Sequence, residues 1–276
     1  MELRKEKYTK NIKVKYMDTL IDEIVEDMLG FLCNNDESNL CLVKVKRDTK
    51  VYKYKHDNQT YYIKAYLHKK KKLKNYFRYK AFRNIKITKS LMDNEIPVFK
   101  PYISISYKNF PSPNRSLFIT REFKGVSATE FLLDNHENTE LKNKFIKDMA
   151  YICSKMYNNG FVQGDPNLDN IMVKLHSNEG REQSELDIVL VDVDGIKKWP
   201  FLTENMVIKN LAKFNALIIR NLGIYNRTLI SCEDKKLFLK EFLKYYQTSK
   251  SIDVFEEEIK VRTMKKLKKW KIEIKE

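Results

Sequence analysis

The sequence predicts an α+β chain in two lobes: an antiparallel β lobe with one main helix, then a mostly helical lobe. Three observations predict it. Between Leu40 and Leu67, apolar residues alternate or run together in L-C-L-V-K-V-K, V-Y-K-Y-K and Y-Y-I-K-A-Y-L. Those stretches are split by R-D-T-K and H-D-N-Q, which is the pattern of a three-stranded meander with tight turns. Two further strand patterns, Tyr102–Tyr107 and Leu117–Phe123, follow a single helical stretch. After Gly125 the apolar spacing becomes helical and stays so.

Taken in order, residues 16–32 carry Met17, Leu20, Ile21, Ile24, Val25, Met28 and Leu29 at helical spacings, so 1–38 is expected to be a helical N-terminal extension. The first lobe is expected over 39–124, with its helix from about Lys69 to Asn94 and the Pro-rich turn Pro111-Ser-Pro113 between its last strands. The second lobe is expected over 125–276, with a hinge at Gly125 and helices at Ala128–Asp134 and Thr139–Asn158. In the latter, Leu141, Phe145, Met149, Ile152, Cys153 and Met156 share one face, and Asn158-Asn159-Gly160 stops the helix. Further helices are expected at about Glu204–Leu222, Glu233–Tyr246 and from Val254 onward, the last strongly basic. Residues 174–186 read as an expanded, solvated hairpin tip.

Composition excludes several classes. Hydrophobic residues at 42% and aromatics at 12% are enough for a packed core and argue against disorder. No apolar run approaches the roughly 18–20 residues that span a bilayer, and no apolar segment follows the charged start, so a cytoplasmic protein without a signal peptide is expected. Cys33, Cys41, Cys153 and Cys232 form no C-x-x-C pair and read as buried thiols, not as a disulfide framework. The four histidines are scattered, so no histidine-based metal site is visible. A net charge of +16 favours an anionic partner: an acidic membrane face, a phosphorylated substrate or nucleic acid. For nucleic acid no recognition motif is found, and none is expected to bind.

Three groups carry chemistry. In F-V-Q-G-D-P-N-L-D-N-I-M-V, residues 161–173, a short strand leads into a loop with Asp165, and Asn170 follows five residues later. In phosphoryl transfer an Asp so placed orients the acceptor hydroxyl and takes its proton, while the Asn offers an amide oxygen to Mg²⁺. In D-I-V-L-V-D-V-D-G, residues 187–195, an apolar strand delivers Asp192, a carboxylate suited to the Mg²⁺ on nucleotide phosphates, with Asp194 as a further metal contact or a brace. In Y-Y-I-K-A-Y an alternating strand presents Lys64, an ammonium for the α/β-phosphates of ATP. Singly each has an ordinary explanation; the order of lysine strand, loop and strand-terminal Asp argues for all three together.

On these residues the chain resembles the lipopolysaccharide kinase family, whose members phosphorylate inner-core heptose or Kdo sugars, and is most similar to its core heptose(II) kinase branch. The resemblance runs from about Val43 to Tyr246. It rests on V-K-R-D-T-K-V-Y-K-Y, Y-Y-I-K-A-Y, A-F-R-N-I-K-I-T-K-S-L-M-D-N-E-I-P-V, G-D-P-N-L-D-N, V-D-V-D-G, N-L-A-K-F and L-F-L-K-E-F-L-K-Y-Y. It implies a bilobal protein-kinase-like fold, ATP as donor, Mg²⁺, and a sugar or glycolipid acceptor. By it, Lys64 is the phosphate lysine, Asp165 the catalytic base, and Asn170 and Asp192 the metal ligands. Arg121–Phe123, hence Glu122 and Phe123, would meet adenine through backbone groups.

The chain departs from the family pattern at four places. Gln163 stands where His is usual, Lys80 about where a Glu partner for Lys64 is expected, and Asn210 where Asp is common. No glycine occurs between Gly30 and Gly125, so backbone amides near Asp48 to Lys50, with Arg47 or Lys50 adding charge, take the place of a glycine-rich loop. A pseudokinase that binds anionic glycolipid, and another small-molecule kinase of aminoglycoside or choline type, therefore stand as alternatives. About a dozen residues separate Asp194 from the next helix, too few to dock a peptide, which favours a small or glycan acceptor. The basic runs His68–Lys74 and Lys265–Lys271 touch the anionic face of the inner membrane, contact the phosphates of a glycolipid acceptor, or are solvated faces, the tail then being a helix packed on the second lobe; Met264, Leu267 and Trp270 would suit an interfacial helix.

Overall fold

The structure, a computed structural model, describes residues 3–7, 9–17, 21–46, 48–67, 76, 79–108, 110–176, 185–222 and 229–272. The chain forms two compact units, residues 1–92 with 99–123, and residues 93–98 with 124–276.

The first unit is built on a seven-stranded antiparallel sheet. Its strands are β1 (Arg4–Lys7), β2 (Ile12–Tyr16), β3 (Leu40–Lys46), β4 (Thr49–His56), β5 (Gln59–Leu67), β6 (Pro101–Tyr107) and β7 (Arg115–Arg121), in the spatial order β1-β2-β6-β7-β5-β4-β3. The expected meander is β3–β4–β5. Its register pairs Tyr52 with Ile63 and Tyr54 with Tyr61, so the alternation puts four apolar side chains on one buried face. Helix α1 (Asp22–Asn34) covers that face with Ile24, Val25, Met28, Phe31 and Leu32, and Phe31 meets Tyr52 edge-on at 5.2 Å. Each such side chain, fully buried, stabilises by about 1.5–3 kcal/mol. The Tyr54 hydroxyl donates to Asp27 Oδ2 at 2.6 Å and ties helix to sheet.

The N-terminal segment corrects the sequence reading. Residues 1–38 are not simply a helical extension: β1 and β2 lie beyond β6 and extend the sheet. The I-K-V-K-Y alternation of β2 buries Ile12, Val14 and Tyr16, but it is too short to stand out beside the longer helical pattern that follows. Helix α2 (Lys80–Asp93) is described from Lys80 onward; residues 68–75, with the whole of the first basic run, lie outside the described residues.

In the second unit, α3 (Ala128–Asp134) opens on a capping box between Ser127 and Glu130, and α4 (Thr139–Asn158) opens on Asn138, whose side chain accepts from Leu141 N. The expected α4 face is buried. Helix α4 stops at Gly160, which has φ +78° and exchanges backbone contact with Trp199; a side chain there would run into the Trp199 carbonyl. Helices α5 (Glu204–Leu222), α6 (Cys232–Tyr245) and α7 (Ile252–Lys269) follow. Two small sheets interrupt the helices: β8 (Val126–Ser127) with β10 (Ile171–His176) and β11 (Glu185–Leu190), and β9 (Phe161–Gln163) with β12 (Ile196–Lys198).

Helix α7 packs through Phe255, Ile259, Thr263 and Leu267. Leu267 is buried while Met264 is exposed, so the two do not share an outer face, and Trp270 lies 5.1 Å from the Arg220 guanidinium. The tail is thus a packed helix with a solvated basic side, not a continuous apolar stripe. Cysteines also differ from expectation. Only Cys153 is buried, its thiol pushed up to about 12 by burial, whereas Cys33, Cys41 and Cys232 are exposed; all four are free. No described helix is long and apolar enough to cross a membrane.

Candidate active site

Two strand pairs bring the predicted acids and amide together in the second unit. β9 pairs with β12, Gln163 opposite Ile196, and β10 pairs with β11, Ile171 opposite Leu190. The loop after β9 carries Asp165 and closes on a 3₁₀ turn, Leu168–Asn170; the loop after β11 carries Asp192 and Asp194 and leads into β12. The two loops are stitched by backbone bonds, Val191 N to Asn170 O at 3.0 Å and Gly164 N to Gly195 O at 2.9 Å. The second stitch is tight, and at Gly164 it is backbone that a side chain would meet. A Cβ on Gly164 would sit 2.9 Å from the Gly195 carbonyl, and one on Gly195 would sit 2.5 Å from Gln163 Oε1.

Side chains complete the lock. Gln163 Nε2 donates to the Asp192 carbonyl at 2.8 Å, so the residue in place of His still ties one loop to the other. Its Oε1 is buried with no hydrogen-bond partner among the described residues. Asn170 Nδ2 donates to the Asp165 carbonyl at 3.0 Å; with its donor end held by the loop, the group it presents is Oδ1. Asp192 Oδ1 accepts from Asp194 N at 3.1 Å, which orients the Asp192 carboxylate. The other end of the loop is fixed by Thr129 Oγ1 donating to Asp169 Oδ1 at 2.6 Å and by Asn221 Nδ2 donating to Asn167 Oδ1 at 2.8 Å.

Helix α5 supplies two residues beneath this loop. Asn210, buried, donates from Nδ2 to the Gln163 carbonyl at 2.8 Å and accepts from the Tyr157 hydroxyl at 2.9 Å. An Asp could not make the first bond, because the loop offers it a carbonyl. Burial, with smaller contributions from Cys153 and Tyr246, holds the Tyr157 phenol well above its usual range, so it stays a donor. Lys213, one turn on, donates to the Gly164 carbonyl and has its Nζ 3.9 Å from Asp165 Oδ1. Sequence reasoning missed Lys213; its spacing of three from Asn210 puts it on the same helix face and was the available signal.

The family model of the lipopolysaccharide kinase (Kdo/WaaP) family matches residues 41–219, well over half of the chain, including both loops of this site. The chain belongs to that family. Membership makes it a phosphotransferase of lipopolysaccharide core synthesis. Among solved structures, WaaP in complex with acyl carrier protein matches with a TM-score of 0.60 at 14% identity, over 83% of this chain and 88% of that one. At that identity the likeness establishes the fold, a protein-kinase-like one with an antiparallel N-terminal sheet and a helical C-terminal part. No curated protein matches.

The remaining predicted site residues lie in the first unit. Lys64, half-buried on β5, stands opposite Val51 and Phe118 in the sheet. The Lys50 ammonium is 2.8 Å from Glu37 Oε1, which also accepts from the Tyr52 hydroxyl at 2.7 Å. The hydrogen bond from Lys50, then that from Tyr52, holds the Glu37 carboxyl below its usual range. Glu122 pairs with Lys53 at 3.1 Å and its N–H donates to the Thr60 carbonyl; Phe123 is half-buried. Lys80 lies with its Nζ 5.4 Å from the Tyr66 ring, so its role here is packing on an aromatic face. Arg47 lies outside the described residues.

For a divalent ion the donor set is all oxygen: Asn170 Oδ1 and the Asp192 carboxylate. That set suits Mg²⁺, which is bound by one or two protein oxygens and takes the rest from phosphates and water. No group of three or more His, Cys, Asp or Glu side chains able to hold a metal by themselves occurs among the described residues.

Proposed function

We propose that this family member transfers the γ-phosphoryl group of ATP to a sugar hydroxyl, that of heptose in the lipopolysaccharide inner core. The observation that carries the proposal is the lock between the two loops, in which Gln163 holds Asp192, Asn170 holds the Asp165 carbonyl, and the Gly164–Gly195 contact closes the pair. Asp165, whose side chain is 65% exposed, orients the acceptor hydroxyl and takes its proton. Asn170 and Asp192 would hold Mg²⁺, with Asp194 bracing Asp192 through its backbone N–H. A bound Mg²⁺ supplies neutralisation of charge on the phosphates. Lys64 positions the nucleotide phosphates, with the backbone near Asp48–Lys50, Lys50 and Arg47 adding positive charge, and the backbone of Glu122 and Phe123 meets adenine.

Two further observations support a glycan acceptor and an active enzyme. Only residues 199–203 separate β12 from α5, too short a stretch to dock a peptide. Gln163 and Asn210, the departures nearest the site, both make bonds that hold the loop. This favours catalysis over a pseudokinase. The net charge of +16 suits work at the cytoplasmic side of the inner membrane on an anionic glycolipid.

The test is phosphate transfer from Mg·ATP to lipopolysaccharide, read by mass spectrometry of the core with wild type and Asp165→Ala. Loss of a positioned base is expected to lower the rate by about 10²–10⁴-fold. Because Asp165 is exposed, the variant is expected to keep its circular dichroism spectrum and melting temperature. Equal rates for the two proteins would sink the role of Asp165, and an unchanged core mass with wild type would sink the acceptor.

A further inference from the structure

Lysines of α5 and α7 gather beside one another, and one of them, Lys213, lies 3.9 Å from Asp165. Lys142 pairs with Asp234, Lys155 with Glu95, and Lys250 with Glu204 and Glu258. On α5, by contrast, Lys209 and Lys213 are four residues apart and share a face. Helix α7 is laid along α5 by three contacts. Thr263 Oγ1 donates to the Ala212 carbonyl at 3.3 Å, Asn215 Nδ2 donates to Thr263 Oγ1 at 3.3 Å, and Arg262 Nη1 donates to Asn205 Oδ1 at 2.5 Å. One turn beyond Thr263 this alignment brings Lys266, and then Lys269, to the lysine face of α5.

Lys266 is half-buried among them. Burial, then the positive charges of Lys213, Lys209 and Lys269, holds its ammonium below the usual lysine range. Asp165 lies 3.9 Å from Lys213. Four ammonium groups gathered on two packed helices are a repulsive arrangement that a bound anion relieves, and lysine is a point-charge partner for phosphate.

We infer that Lys209, Lys213, Lys266 and Lys269 form a binding site for an anionic group, a phosphate or carboxylate, carried by the acceptor beside the hydroxyl that is phosphorylated. The inference rests on the kinase reading above for the identity of the molecule that bears the anion. Its position follows from Lys213, which touches the Asp165 loop from α5, whereas Asn170 and Asp192 belong to the neighbouring loop ends assigned to the metal and nucleotide phosphates. The site therefore selects acceptors that already carry negative charge next to the reacting sugar.

The experiment is lysine acylation by an amine-reactive ester on the full chain, quantified residue by residue by mass spectrometry. Inorganic phosphate or glucose 6-phosphate is compared with sodium chloride at equal ionic strength, using Lys244 and Lys260 as reference lysines. Phosphate and the sugar phosphate are each expected to slow acylation of Lys213 and Lys266 several-fold and to leave the reference lysines unchanged. In Lys266→Gln/Lys269→Gln the slowing at Lys213 is expected to be lost. Rates identical to the chloride control would overturn the site. Protection by magnesium with a non-hydrolysable ATP analogue, but not by phosphate or glucose 6-phosphate, would overturn it too by assigning the lysines to the nucleotide. The readout does not need turnover: protection by phosphate in a protein that transfers no phosphoryl group would uphold the site while defeating the kinase reading.

Discussion

Replacing Asn210 by Asp changes one atom and tests how the Asp165 loop is held. Asn210 is buried, donates to the Gln163 carbonyl at 2.8 Å, and accepts from Tyr157 at 2.9 Å. In Asn210→Asp the second bond survives and the first becomes an oxygen facing an oxygen. A buried carbonyl left without its donor costs about 1–3 kcal/mol, and a buried carboxylate without a cation costs about 3–5 kcal/mol if it stays charged. The two penalties overlap, because protonating the carboxyl relieves both; about 3 kcal/mol is expected at neutral pH. For a chain of this size that is roughly 6–12 °C in melting temperature.

The pH dependence carries the sign. Burial against a carbonyl raises the folded-state pKa of the new carboxyl above its unfolded value. Its protonated form can donate to Gln163, so stability is fullest below the unfolded pKa and is lost as pH rises through the folded one. Thermal denaturation of wild type and variant, at about pH 5 and about pH 8, measures this directly. A variant that melts with wild type at the higher pH, or a deficit equal at both, refutes Asn210 as the donor that holds the loop.

Other substitutions probe neighbouring parts of the same frame. Gly164→Ala brings a methyl group to 2.9 Å from the Gly195 backbone carbonyl, so phosphotransfer is expected to drop and urea denaturation to show a loss of about 1–3 kcal/mol; full activity would exclude the close Gly164–Gly195 approach as a requirement. Gly160→Ala places a side chain at φ +78° against the Trp199 carbonyl, and a loss of more than about 2 kcal/mol in urea denaturation is expected. Asp234 is buried, which raises its pKa, but the Ser231 amide and Lys142 outweigh burial and bring it below the usual carboxylate range. Its stabilisation is present at neutral pH and lost as pH falls through the folded pKa, so Asp234→Asn is expected to cost about 3 kcal/mol at about pH 7 and progressively less below about pH 4 in pH-resolved melts.

Periodicity carried much of the fold because it reports local physics. The limits of α3 and α5 read from the sequence coincide with the structure, since Ser127 and Glu130 cap the first and an unbroken apolar face runs through the second. β2 escaped the same reading. Five residues of alternation beside a longer helical stretch carry too little signal, and only pairing with β6 reveals them as a strand. Met264 and Leu267 were equally ambiguous. Three-residue spacing suggests a shared face, and only packing on α5 shows that one is buried and the other exposed.

At the site, the residue types and their order, G-D-x-x-x-x-N followed by a strand-terminal D-x-D, were legible because the chemistry of phosphoryl transfer demands those donors on a continuous stretch of chain. The sequence by itself determined which residues are acids, amides and glycines, and that Asp165, Asn170 and Asp192 stand at the ends of short strands. What Gln163 and Asn210 do was left to tertiary structure, because their partners are backbone carbonyls 29 and 47 residues away in the chain. The same holds for Lys213 and Lys266. A lysine on a helix is a solvated charge until a second helix, laid against it by Thr263 and Asn215, places another lysine beside it.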